Sequence, residues 1–129
     1  MIDKDLPDYF REKAVTRANS LYFDVDAALA VVEYCKAHGL GIAGIDGFVI
    51  EPEATVPLMN YMTDWSSFDD EPNWYVFVDK SAAAAMAALT FWRQEGLPKD
   101  FRVDVVVISE TDHIRFLHGR KGSNRPARD

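Results

Sequence analysis

At 129 residues the chain is the length of one ordinary domain, and 48% hydrophobic with 27% charged residues supplies a core without a disorder signature. The longest apolar runs, such as Ala82–Leu89 and Val105–Ile108, fall far short of the roughly 20 residues of a membrane span, and the first residues lack the basic flank and apolar run of a secretory leader. Cys35 is the single cysteine, which excludes an intrachain disulfide and a Cys-rich metal site and points to a reducing, cytoplasmic setting.

The net charge of −7 is unevenly spread. Residues 115–129 hold five bases (Arg115, Arg120, Lys121, Arg125, Arg128) and one acid, so residues 1–114 carry −11. No Lys or Arg stands between Lys36 and Lys80, where Asp46, Glu51, Glu53, Asp64, Asp69, Asp70, Glu71 and Asp79 fall. Such a single-sign field repels nucleic acid and attracts basic surfaces. Solubility alone is the competing explanation.

In chain order, Leu6–Val15 is expected to form a short helix, with Asp5 as N-cap and Pro7 in the first turn. Leu21-Tyr-Phe is a short strand or a staple before the next helix. Asp24 or Asp26 caps a second helix that Gly39 stops, with Val25, Leu29, Val32 and Cys35 or Lys36 at helical spacing. Leu40–Ile50 reads as a strand, broken or bulged near Gly44 or Gly47. Residues 51–57 read as a turn, and 58–64 as a turn or two of helix. Trp74–Val78 has the composition of a strand. Ser81 then caps a helix to about Glu95, with Met86, Leu89 and Trp92 or Arg93 on one face and Gly96 as its stop. Arg102–Ser109 reads as a central strand covered on both sides, because Val103, Val105 and Val107 share one face and Val106 and Ile108 the other. Ile114–Leu117 is expected to pair with it as a hairpin. The implied fold is α+β: a single mixed sheet of about four or five strands with two main helices packed on it. Residues 1–118 form the domain, and 119–129, rich in Gly, Ser, Asn, Pro and bases, form a flexible basic tail.

No catalytic or metal-ligating constellation stands out. Gly39-Leu-Gly-Ile-Ala-Gly matches G-x-G-x-x-G, but it follows a helix and leads into a strand, the reverse of a nucleotide-binding turn. His38, His113 and His118 are scattered, and no paired carboxylate supports a zinc site. Ser109, Asp112 and His113 have triad residue types, yet sit in one local turn, whereas a triad is assembled from separate elements. No cofactor is implied. The segment from Asp64 to Tyr75 differs, since two Trp, a Phe and a Tyr alternate with four acids in a loop composition. Large aromatics amid acids suit a binding hot spot with electrostatic steering. Under the competing reading, Trp65 and Phe68 tuck beneath the loop while Trp74 and Tyr75 begin a strand. The candidate partner-binding residues are Asp64, Trp65, Phe68, Asp69, Asp70, Glu71 and Trp74.

A capped helix ending in Ala-His-Gly, followed by Leu40-Gly-Ile-Ala-Gly-Ile-Asp-Gly-Phe48 and a stretch closing in Asp64-Trp-Ser-Ser67, resembles small bacterial immunity proteins of polymorphic-toxin or contact-dependent inhibition systems. The likeness spans about residues 24–68. It implies a non-catalytic inhibitor of a cognate toxin, often a nuclease with a basic active site, acting in the cytoplasm of the producing cell. No nucleic-acid or membrane partner is expected. The alternative is a small-molecule sensor or regulatory domain with its ligand between sheet and helices.

Overall fold

A computed structural model describes residues 6–63 and 71–114. Helix α1 (Asp8–Glu12) leads into a hairpin of β1 (Val15–Arg17) and β2 (Ser20–Tyr22), whose two turn residues, Ala18 and Asn19, both take positive φ. Helix α2 (Val25–Ala37) follows, then β3 (Gly41–Glu51), β4 (Ala54–Met62), helix α3 (Trp74–Arg93) and β5 (Phe101–Ile108). The strands form a three-stranded sheet in the order β4-β3-β5 beside the β1-β2 ribbon. A bridge from Phe23 to Val103 ties the ribbon's end to β5, with N–H···O distances of 2.7 and 2.8 Å in the two directions.

The fold is α+β, with α2 and α3 side by side on one face of the sheet. The strand pairing departs from the mixed sheet that the sequence suggests. Every pairing among the described residues is antiparallel. Strand-helix alternation suggests parallel crossovers, but β4 turns straight back on β3, so β5 reaches the other side of β3 running antiparallel to it. The central strand is β3, while β5 is flanked by β3 and by the single Phe23 bridge.

Local chemistry explains the helix boundaries. The Asp24 carboxylate accepts the Ala27 N–H at 2.7 Å and starts α2, and Gly39, at φ 71°, reverses the chain after it. Helix α3 begins a full two turns before Ser81. Asn73 caps it, accepting the Val76 N–H at 3.1 Å. Trp74, Phe77, Val78, Ser81, Ala82, Ala85, Leu89 and Trp92 form one buried stripe at helical spacing. That stripe overrides the strand propensity of Trp74–Val78, because burial along the whole length outweighs intrinsic preference. Ser81 is therefore a buried mid-helix residue. Its hydroxyl donates to the Val78 carbonyl at 3.2 Å and accepts the Ile42 N–H at 3.1 Å.

Two expected turns are also replaced. Residues 54–62, read as turn and helix, form β4, because a two-residue turn after Glu51 sends the chain back along β3. Residues 110–114, read as the approach to a hairpin, are helical, with Ser109 capping the turn through its hydroxyl to the Asp112 N–H at 3.2 Å. The bulges in β3 fall where glycine predicted them. Register shifts lie between Ile42 and Gly44 against β5 and between Asp46 and Phe48 against β4. A Cβ on Gly47 would stand 2.7 Å from the Phe101 ring and from Tyr61 Cβ, so only glycine lets these aromatics close over the strand.

The core lies between the helices and the sheet. Val31, Val32, Cys35, Ile42, Ile45, Ala85, Leu89 and Val103 are fully buried there. Phe101, Val103, Val105 and Val107 point inward from β5, Arg102, Asp104 and Val106 alternate with them toward the opposite, open face, and Ile108 at the strand's end packs against Trp74, Phe77 and Val78 of α3.

Candidate functional site

The open face of the sheet carries the most unusual electrostatics of the described residues. Asp46 in β3 lies directly opposite Asp104 in β5. Directly opposed residues of an antiparallel pair are roughly 4.5–5.5 Å apart at Cα, and like charges at such positions repel. Phe48 and Arg102 are the next pair along this face, and Gly44 and Val106 the one before. Tyr22 meets the Phe48 ring edge-on, with centroids 5.2 Å apart, so the ribbon's end borders the face. Arg17 extends from the same ribbon to the β3–β4 turn, donating to the Glu51 carbonyl at 2.7 Å and the Ala54 carbonyl at 3.2 Å.

The two carboxylates are not equivalent. Asp46 Oδ1 accepts the Thr63 N–H at 3.3 Å. Asp104 Oδ1 is buried with no hydrogen-bond partner. Burial raises the Asp46 carboxyl above its ordinary range, and the Thr63 N–H partly offsets it. Asp104 is pushed up to about 6, first by burial and then by the negative charge of Asp46. Thr63 has a second task. Its hydroxyl accepts the Ile45 N–H at 2.8 Å and donates to the Ile45 carbonyl at 2.7 Å, so it stands in for a backbone partner where the β3–β4 register breaks.

Asp64, Trp65, Phe68, Asp69 and Asp70 lie outside the described residues. Both flanks of that segment are fastened to the fold. Thr63 holds the upstream end through Ile45 and Asp46. Downstream, the Glu71 carbonyl accepts a hydrogen bond from His113 Nε2 at 2.8 Å, which assigns the proton to that nitrogen. The Glu71 carboxylate lies 3.5 Å from Lys80 Nζ and accepts the Asn73 N–H at 3.3 Å. Trp74 does not offer itself as a partner anchor. It is 6% exposed, donates from Nε1 to the Gly39 carbonyl at 2.8 Å, and packs with Phe77 and His113 in a small second cluster. Its place on the inward stripe of α3 buries the ring.

The other candidates have structural places. His38 donates from Nδ1 to the Tyr34 carbonyl at 2.9 Å and stacks on that ring. His113 is buried against Phe77, and Cys35 is buried in the core, well apart in sequence and in cluster. Among the described residues, no three His, Cys, Asp or Glu side chains gather as metal ligands. No described helix is long and apolar enough to cross a membrane. A groove of about 450 Å³ separates the outer edges of α2 and α3, with Val32, Ala82 and Met86 as its apolar floor and Glu33, Lys36 and Asp79 at its rim. It lies outside the space between sheet and helices, where packed side chains fill the core.

The Asp46–Asp104 pair leaves only a faint mark in the sequence. Its signal was an Asp within each of two strands, a residue depleted from strand interiors. The two positions are 58 apart in the chain, and only the β3–β5 register makes them neighbours. Comparison with known protein families, curated proteins and solved structures finds no match.

Proposed function

We propose that the protein is a non-catalytic binding protein, an immunity protein that neutralises a cognate bacterial toxin by presenting an acidic surface to a basic one. The observation that carries this reading is the acidic field between Lys36 and Lys80, eight carboxylates with no intervening base. Such a field speeds encounter with a cationic cleft, and carboxylates take the positions that phosphates would occupy there. The fastened flanks at Thr63 and Glu71 support the same reading, since a segment tethered at both ends loses less entropy on binding. With Trp74 committed to the interior, Trp65 and Phe68 are the remaining aromatic anchors of the segment. Asp64, Asp69 and Asp70 are its charged contacts.

The test is a pull-down from the native host followed by binding kinetics on the recovered protein. Recovery of a basic toxin domain, with association slowed at least tenfold by Asp69→Lys plus Asp70→Lys at low salt and less at high salt, is the expected result. An unchanged association rate at low salt removes these residues from the interface. Recovery of a metabolite in place of a protein favours a sensor domain.

A further inference from the structure

We propose that Asp46 and Asp104 hold one proton between them across the β3–β5 ladder, and that its release is a pH-sensitive switch on the open face of the sheet.

The two side chains leave adjacent strands at directly paired positions on the same face. Asp104 Oδ1 is sealed from water and receives no hydrogen bond. An ionised carboxylate oxygen in that condition bears its full desolvation cost. A second carboxylate opposite it adds repulsion. One proton removes both penalties, because a protonated carboxyl is neutral and gains a donor. Asp46 is the member that retains its charge, since the Thr63 N–H already favours its ionised form. The upward displacement of both groups, larger for Asp104, agrees with this division.

The groups around the pair leave the proton in place. From β5, Arg102 lies two residues along the same face, and its guanidinium donates to the Phe101 carbonyl at 2.8 Å. From β4, the neighbours are Met62, opposite Asp46, and Thr63. From the ribbon, Tyr22 rests on Phe48, one pair away. None of these donates a hydrogen bond to Asp104 Oδ1. As pH rises through about 6, the pair therefore passes from one negative charge to two. The second charge weakens the ladder at that point and deepens the negative potential of the face. The two carboxyls are coupled, so each reports the same proton.

Carboxyl-carbon NMR titration of the full chain tests the proposal directly. The expected result is a transition near pH 6 at Asp104 that Asp46 also senses, and its movement to lower pH in Asp46→Asn. Denaturant unfolding of the same two proteins between pH 4.5 and 7.5 reads the consequence. The folding equilibrium constant of the wild type should fall by roughly 2- to 10-fold more across this range than that of Asp46→Asn, because burial, the larger cause of the displacement, persists in the variant. Independent titration of both carboxyls below about pH 4.5, in the ordinary carboxylate range, would overturn the proposal. So would parallel stability profiles in the two proteins. The NMR measurement on the wild type decides even if the variant does not fold.

Discussion

Removing the Ser81 hydroxyl takes away the partner of two backbone groups at once. The Ile42 N–H sits where β3 shifts register against β5, so the ladder does not supply its acceptor, and α3 supplies one from above. Ser81 is fully buried, which keeps water from taking over. Ser81→Ala is expected to destabilise the fold by about 1–3 kcal/mol, the cost of an orphaned buried donor, measured by urea unfolding. Ser81→Thr retains the hydroxyl and separates the lost hydrogen bond from a general intolerance of the site. A cap-forming Ser81 would instead lose little beyond helix content. The same contrast between local preference and buried partnership explains His113, whose Nε2 proton fastens the Glu71 carbonyl and whose ring fills the space beside Phe77.

At the scale of elements, α2 was legible because its signals agree. An acid caps it, apolar residues recur at helical spacing, and glycine ends it. Both glycine-marked irregularities of β3 were legible for a similar reason, since interior glycines in a strand mark bulges or close approach. The N-terminal third of α3 was not. Trp74, Phe77 and Val78 fit a short strand as well as a helical stripe, and only packing beneath Gly39 and Ile108 selects the latter. Asn73→Ala should therefore cost about 1 kcal/mol and fray the first turn, seen as faster amide exchange at residues 74–77 with the rest of α3 unchanged. If Ser81 were the true start, that region would exchange freely already in the wild type. The β1–β2 hairpin was hidden for another reason. Its turn uses Ala18, which lacks the usual preference for positive φ, beside Asn19, which has it.

At the scale of the whole molecule, charge and burial oppose each other. For Asp104 the sign of the pH effect follows from its carboxyl being raised in the folded state, from 3.8 to about 6. Below about pH 4 both folded and unfolded chains are protonated there, and the stability that the proton brings is fully present. Between these limits the folded chain holds the extra proton, so that stability is lost as pH rises and is gone above about 6. The loss is on the order of 2–3 kcal/mol, and the thermal midpoint should accordingly fall between pH 4.5 and 7. A calorimetric profile that rises over this interval would contradict it. Exposed ion pairs such as Asp26–Arg93, at 2.8 Å, offset little of this because solvent screens them.

Local signals along the chain suffice for the α+β class, the second helix with its cap and stop, the bulged strand, the strand of alternating valines and the acidic middle third. Each rests on local periodicity, capping chemistry or composition, which act within a few residues and need no partner. Tertiary structure alone decided the antiparallel order β4-β3-β5, the helical state and burial of Trp74, and the meeting of Asp46 with Asp104. These depend on register between segments far apart in the chain. A shift of one residue would send every side chain of a strand to the opposite face, and no signal within either segment records which register its neighbour adopts.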